Sequence, residues 1–168
     1  ASERAAELRA AGFEVGLLTS SLPHGARPAD LAVNFNAWTE AVPEAALIVE
    51  APEVTFQNSR GLSQHIIGLA QDGGYGLITH DIGLNTADQL AEGAGLLRAE
   101  SYRLIDGGKE TAAVIRRTLD RAAFEATRSG AILIAGTARP ETLNAIKSWL
   151  QQSRRDLLAA PASAVLRP

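Results

Sequence analysis

The chain has 168 residues, of which 46% are hydrophobic and 21% are charged, a formal net charge of −3 and no cysteine. A domain of this length can bury a hydrophobic core without disulfides or structural metals. The weakly acidic charge excludes a general electrostatic attraction to nucleic acid, and the lack of cysteine excludes disulfides, thiolate nucleophiles and Cys-type metal sites. No apolar stretch is long enough to predict a membrane-spanning helix. We therefore expect neither nucleic acid nor a membrane span.

Short apolar stretches alternate with longer segments of helical period, which is the pattern of βα units around a parallel sheet. In chain order, the predicted strands are Val15–Ser20, Ala46–Glu50, Gly76–His80, Tyr102–Asp106, Ala131–Gly136 and Ala162–Leu166. A helix is predicted before the first strand, from Ser2 to Gly12, and between each pair of successive strands. These helices run from Pro28 to Pro43, end at Gly73, are capped by Thr86 and Gln89, run from about Glu110 to Ser129, and begin at Pro140. We expect one domain over residues 1–168, with about six strand–helix units in right-handed sequence. Both an open doubly wound sheet and an incomplete barrel fit this pattern.

Polar side chains follow the predicted strands, at the edge where parallel α/β folds bind ligands. The candidates for the site are Thr19 to Ser21, Glu50, Glu53, Thr79, His80, Asp81, Asp106, Thr137 and Arg139. His80 and Asp81 could supply a general base or a metal ligand, but such a pair also opens loops and caps helices.

The other candidates have equally open alternatives. Glu50 and Glu53 could form an acid/base pair, or they could be solvated carboxylates on either side of a bend at Pro52. Asp106 precedes two glycines, so it could bind a ligand or form a turn. Arg139 lies just before a predicted helix and could bind an anion.

Several motifs are missing from the sequence. The three histidines, His24, His65 and His80, have no metal-ligand spacing. There is no Walker-type phosphate loop, no dinucleotide fingerprint and no Gly-x-Ser-x-Gly elbow. The sequence therefore predicts no metal site and no cofactor.

Four stretches together resemble the divergent polysaccharide deacetylase family of bacterial envelopes. They are Ala10–Leu18, Val42–Glu50, Tyr102–Asp106 and the segment Arg139–Leu143 with its helix holding Trp149 and Leu150. The resemblance implies a distorted (β/α) barrel of the polysaccharide deacetylase type. In the parent superfamily a metal held by one Asp and two His polarises a water molecule, which removes acetyl groups from amino sugars.

The resemblance fails at the metal ligands. The family's two histidine positions fall on Ala51 and Thr137, whereas Asp106 matches and Thr79 stands where the family usually has another Asp. The family's Asp-Asp strand has no counterpart here, and the chain has no methionine. We therefore expect a piece of a larger protein that lacks the family's first strand–helix units.

The resulting hypothesis is a catalytically degenerate domain of the periplasm or cell envelope. It would bind an envelope glycan or an envelope protein, with Glu50, Glu53, Thr79, Thr137 and Arg139 as binding residues. The alternative is an active metal-dependent deacetylase or hydrolase with a remodelled site, in which Asp106, His80 and Asp81 act with Glu50 and Glu53 around a divalent ion such as zinc. A third possibility is a protein–protein scaffold with an apolar surface patch.

Overall fold

The computed structural model of the chain describes residues 2–19, 26–108, 110–152 and 157–168, which form alternating helices and strands. The helices are α1 (Ser2–Ala10), α2 (Pro28–Ala41), α3 (Arg60–Gly73), α4 (Thr86–Gly93), α5 (Ala112–Ser129) and α6 (Pro140–Gln152). The strands are β1 (Gly16–Leu18), β2 (Leu47–Val49), β3 (Gly76–His80), β4 (Arg98–Leu104) and β5 (Leu133–Ala135). None of the helices in the described residues is both long and apolar enough to span a membrane.

The strands lie in the sheet in the order in which they occur in the chain. β1 pairs with β2, β2 with β3, and β4 with β5, each in parallel, so that Ile48 lies between Leu17 and Leu77. A doubly wound sheet would reverse its strand order at a switch point, whereas a (β/α) barrel adds strands in sequence. The predicted α/β fold with an incomplete (β/α) barrel is therefore confirmed.

Contacts divide the chain into two compact units, and the boundary falls within β4. Unit 1 contains residues 1–100 and 161–168, and unit 2 contains residues 101–160. The core of unit 1 packs α2, α3 and α4 against the sheet, with Leu31, Ile48, Phe56, Ile66 and Leu77 fully buried. The core of unit 2 joins α5 and α6 to its strands through Ile105, Ile115, Leu119 and Ala145. The single domain over residues 1–168 stays a prediction.

The predicted final strand, Ala162–Leu166, is wrong. Ala162–Val165 forms a 3-10 helix, and only Arg167 pairs with a strand, through an antiparallel bridge to Arg98. The backbone N–H and the hydroxyl of Ser163 both donate to the carboxylate of Glu14. Ser163 therefore has hydrogen-bond partners without pairing to a strand. A short apolar stretch has no periodicity that separates a strand from one turn of helix.

Among the other boundaries that differ from their predictions, the starts of β4 and α4 have identifiable partners. β4 begins at Arg98, four residues before Tyr102, because Arg98 exchanges two backbone hydrogen bonds of 2.8 Å with Arg167. The N-cap of α4 is Asn85, whose side chain accepts from the backbone N–H of Asp88, and Thr86 is the first residue of that helix. A contact with a distant residue therefore sets the start of β4, whereas a local side-chain cap sets the start of α4.

Replacing Ile48 with Ala tests the core of unit 1. Ile48 is 0% exposed on the middle strand of β1, β2 and β3, so the substitution leaves a cavity and we expect a loss of about 3 kcal/mol in the free energy of unfolding. Chemical denaturation followed by circular dichroism measures the change. Val33→Ala on α2, where Val33 is 71% exposed, is the matched control and should change stability by less than about 0.5 kcal/mol.

Candidate functional site

The side chain of Glu50 lies at the carboxyl end of β2 and is fully buried. Its Oε1 atom accepts the backbone N–H groups of Ala51 at 2.8 Å and Thr55 at 2.9 Å. The Thr55 hydroxyl donates to the same oxygen at 2.6 Å, and the Thr19 hydroxyl, at the end of β1, lies 3.1 Å from it. One carboxylate oxygen therefore joins the end of β1 to the loop that follows β2.

The second oxygen of Glu50 holds the rest of that loop. Oε2 accepts the backbone N–H groups of Phe56 at 2.9 Å and Gln57 at 2.7 Å. A buried carboxylate is costly unless it is hydrogen-bonded or paired, and converging backbone N–H groups compensate its charge. None of the ion pairs in the described part of the chain includes Glu50, so these donors compensate its carboxylate. The loop is folded around the carboxylate.

His80 lies at the end of β3 and is 5% exposed. Its Nε2 atom is 3.0 Å from the backbone carbonyl oxygen of Glu50, which can only accept, so Nε2 carries the proton and donates. The side chain of Gln57 accepts the backbone N–H of His80 at 2.8 Å and donates to its carbonyl at 3.0 Å. Glu50, Gln57 and His80 therefore fix the ends of two neighbouring strands.

Asn85 brings together a further group of polar side chains in unit 1. Its amide donates to the Thr79 hydroxyl at 2.9 Å and to Glu100 Oε1 at 2.5 Å, and its φ of 40° is left-handed. Burial raises the pKa of the Glu100 carboxyl above its ordinary value. The charges of Asp88 and Asp81 add to this rise, and the hydrogen bond from Asn85 only partly offsets it. Thr79 therefore belongs to a hydrogen-bonded group that includes the Glu100 carboxylate of β4.

Glu53 and Asp81 are exposed, unlike the buried side chains of Glu50 and His80. The structure does not bring Glu53 into the hydrogen-bonded group of Glu50, so the two carboxylates do not share one environment. Immediately after Glu53, Val54 has a φ of 58°, a conformation that β-branched residues rarely adopt. Of the other candidates, Ser20, Ser21 and His24 lie outside the described residues.

Asp106 forms a separate group in unit 2, where it follows β4 with a fully buried side chain. The Thr137 N–H lies 3.0 Å from each carboxylate oxygen, and its hydroxyl donates to Oδ2 at 2.5 Å. The Thr142 hydroxyl donates to Oδ2 at 2.6 Å, and Arg139 Nη2 lies 3.3 Å from it. The guanidinium of Arg139 also donates to the backbone carbonyl of Asp106 at 2.9 Å. Asp106 therefore joins β4 to the residues around the start of α6.

The environment of Asp106 favours its charged form. Burial raises the pKa of this carboxyl, but the hydrogen bonds from Thr137 and Thr142 and the interaction with Arg139 outweigh burial and lower it to about 2. Each donor interacts better with the anion than with the neutral acid. Asp106 is therefore ionised at neutral pH.

The residues of both groups do not fit a catalytic divalent metal. In the described residues there is no group of three His, Cys, Asp or Glu side chains that could hold an ion. Ala51 is fully buried and offers only a methyl group, and the Thr137 hydroxyl is donated to Asp106. The oxygens of Glu50 and Asp106 already accept from their own chain. A metal would have to displace these hydrogen bonds before it could bind.

Comparison with known proteins identifies a family. The model of the family described as "Divergent polysaccharide deacetylase" matches residues 2–166. A search of curated proteins found no match. The chain is also similar to a solved structure, an uncharacterized protein from Agrobacterium tumefaciens C58, with a TM-score of 0.71 and 18% identity over 90% of this chain and 67% of that one. At this identity the structural likeness supports the fold alone.

The sequence named some members of each group and missed others. Position at or after the end of a strand identified Glu50, Thr79 and His80 in unit 1. The same criterion identified Asp106, Thr137 and Arg139 in unit 2. The missed residues are Thr55, Gln57, Asn85, Glu100 and Thr142. Asn85 carried a usable signal, since an asparagine three residues before Asp88 fits an N-cap. Gln57 carried none, because its side-chain partners, His80 and Ile82, lie 23 and 25 residues further along the chain.

Replacing Glu50 with Gln tests its structural role. Glutamine keeps the shape but turns one acceptor oxygen into an NH₂ group that faces N–H donors, so we expect a loss of about 3 kcal/mol in the free energy of unfolding. Denaturant titration measures it. Glu53→Gln changes the same charge at an exposed position and should cost less than about 0.5 kcal/mol. Equal losses for the two variants would contradict this assignment.

Asp106→Asn tests the second group through pH. The pKa of Asp106 is lowered from 3.8 to about 2 in the folded chain, so ionised Asp106 stabilises the fold fully above about pH 4, and this contribution fades as the pH falls towards 2. At neutral pH we expect the variant to be less stable by about 2 kcal/mol. The difference from the parent protein should shrink between about pH 4 and 2. Asp72→Asn on α3, where Asp72 is exposed, is the control and should show no such trend.

Proposed function

Because the chain belongs to the divergent polysaccharide deacetylase family, we propose that it is a non-catalytic member that binds glycan in the periplasm or cell envelope without hydrolysing it. One observation carries the proposal: the carboxylates of Glu50 and Asp106 are already committed to donors of their own chain.

Metal-dependent deacetylation requires ligands that hold an ion and leave a position open for water. Both oxygens of Glu50 accept hydrogen bonds from the loop that follows it, and the Nε2 atom of His80 donates to a backbone carbonyl. The alternative of a remodelled zinc site would require these side chains to give up those bonds, and would leave several buried donors without acceptors. That cost argues against the alternative.

The exposed polar side chains of unit 1 support glycan as the ligand. Glu53 follows β2 and Asp81 follows β3, and β2 and β3 are neighbours in the sheet. Carboxylates at this edge can accept hydrogen bonds from sugar hydroxyls, and hydrogen bonds to a charged group are stronger than neutral ones. The hydrogen bonds of Glu50 and Gln57 hold in place the backbone segments that carry Glu53 and Asp81. The family description is the reason to choose polysaccharide as the class of ligand.

An envelope protein is the second candidate for the ligand, because two apolar side chains follow Asp81. Ile82 is 51% exposed and Leu84 is 82% exposed. Their loop is fixed by Gln57, whose amide donates to the carbonyl of Ile82 at 2.9 Å. Apolar side chains on a fixed loop are typical of a surface that a partner covers.

Catalysis is tested by measuring acetate released from acetylated glucosamine oligomers in the presence of zinc, cobalt or manganese, together with metal analysis of the purified protein. We expect no acetate above the protein-free control and no stoichiometric metal. Metal-dependent release of acetate would refute the proposal and support the remodelled site.

Binding is tested by titrating peptidoglycan fragments and N-acetylglucosamine oligomers into the protein in a calorimeter. We expect Asp81→Asn to weaken binding by about tenfold, since it removes a charged acceptor at the strand ends. Asp72→Asn makes the same change at the end of α3, before β3 begins, and should leave affinity unchanged. Equal affinity of both variants, or no binding of any glycan, would contradict the proposal that the ligand is a glycan.

A further inference from the structure

The outward face of α5 is basic and carries an exposed aromatic ring. Its residues follow one another at spacings of four, three and four, which places them on one side of the helix, and they are Arg117, Arg121, Phe124 and Arg128. All four side chains are exposed, and Phe124 is 71% exposed. We call these four residues the basic face of α5. Its opposite side packs in the core of unit 2.

The charge of unit 2 as a whole has the same sign as this face. Residues 101–160 contain ten lysines and arginines against six aspartates and glutamates, whereas unit 1 contains six against thirteen. The formal net charge of −3 therefore combines an acidic unit with a basic one. A negatively charged ligand is attracted to unit 2 and repelled by unit 1.

Two arginines of the basic face have no acidic partner. Arg128 forms an ion pair with Glu125, with 2.5 Å between Nη2 and Oε1. None of the ion pairs among the described residues includes Arg117 or Arg121. Like charges four residues apart on a helix repel each other and slightly destabilise it. A bound anion would remove this repulsion and accept charge-assisted hydrogen bonds from the guanidinium groups.

Phe124 narrows the kind of anion that fits. It lies three residues after Arg121, so its ring and that guanidinium are neighbours on the helix surface. The phenyl ring is removed from water only when a ligand presents an apolar surface to it. The C–H groups on one side of a sugar ring form such a surface, and in a uronic acid the carboxylate is attached to the same ring. A phosphate that links two sugars lies outside both rings and does not combine the two features.

We propose that the basic face of α5 binds an acidic polysaccharide whose sugar rings carry carboxylates. Phe124 packs against a ring, while Arg117 and Arg121 bind carboxylates along the polymer. The face extends for about 16 Å from Arg117 to Arg128, which suits a linear chain of charged sugars. The inference rests on the proposed glycan binding for the class of ligand, and it adds that this glycan is acidic.

Two other occupants fit the face less well. A helix binds to a membrane surface by inserting its apolar side, but that side of α5, with Ile115 and Leu119, lies in the core of unit 2. Of the large apolar side chains of α5, which the structure describes throughout, only Phe124 is exposed. The centre of a protein–protein interface is depleted in charged residues, whereas three of the four residues here are arginines.

Titration of the complete chain with oligogalacturonate in a calorimeter tests the proposal. The methyl ester of the same oligomer keeps the sugar rings and lacks the charge, so it is the matched control ligand. We expect saturable binding of oligogalacturonate that weakens as the salt concentration rises, because salt screens exposed charges. The methyl ester should bind about tenfold more weakly or less.

Three variants separate the contributions of charge and ring. Arg121→Gln should weaken binding by about fivefold and reduce its salt dependence, because one contact between charges is lost. Phe124→Ala should weaken binding by about as much and leave the salt dependence unchanged, since it removes only the ring contact. Lys147→Gln removes one positive charge from an exposed position of α6 and should bind like the parent chain. Circular dichroism checks that each variant is folded.

Three results would overturn the inference. If N-acetylglucosamine oligomers bind and oligogalacturonate does not, glycan binding stands and the acidic class is wrong; if neither binds, both proposals are wrong. Equal weakening by Arg121→Gln and Lys147→Gln would show a general effect of charge and not a site on α5. Binding of single-stranded DNA or of phosphatidylglycerol vesicles as tight as that of oligogalacturonate would assign the face to another polyanion.

Discussion

A carboxylate removed from water must find donors, and the loop after β2 depends on this constraint. Glu50 is buried without a paired cation in the described residues, and it is stabilised by four backbone N–H groups and by neighbouring hydroxyls. The chain from Ala51 to Gln57 turns so that its N–H groups converge on that charge. Gln57, placed by this turn, then fixes the backbone of His80 at the end of β3. One buried anion thus determines the ends of two neighbouring strands.

Asp106 follows the same rule with different partners. Its charge is balanced by hydroxyls from Thr137 and Thr142, by a backbone N–H and by the guanidinium of Arg139. The acid holds the residues around the start of α6, as Glu50 holds the loop after β2. In each unit, an acidic residue at the carboxyl end of a strand organises its own chain. This common role supports the proposal of a binding function without catalysis.

The sequence predicted most of the elements because their signals are local. β3 has its predicted bounds, and β2 lies within one residue of its prediction at each end, since continuous apolar residues flanked by polar ones mark buried strands. Glu50, His80 and Asp106 were named because position after a strand is visible in sequence. Their partners were not, because the contacts of Gln57 and Thr142 join residues far apart in the chain. The strand prediction after Pro161 was wrong for the same reason, because Ser163 bonds to the distant Glu14 and not to a neighbouring strand.

The way Ala51 is enclosed limits the side chains that position 51 can hold. Its methyl group is fully buried in the loop folded around Glu50, while Val54 holds a backbone conformation suited to glycine. An imidazole at position 51 would not fit unless Glu50 first released the loop, and releasing the loop alone would leave a buried anion or a row of orphaned N–H groups. Each step towards a metal ligand is therefore harmful without the other. Position 51 can therefore accept a larger side chain only if Glu50 and its loop change together with it.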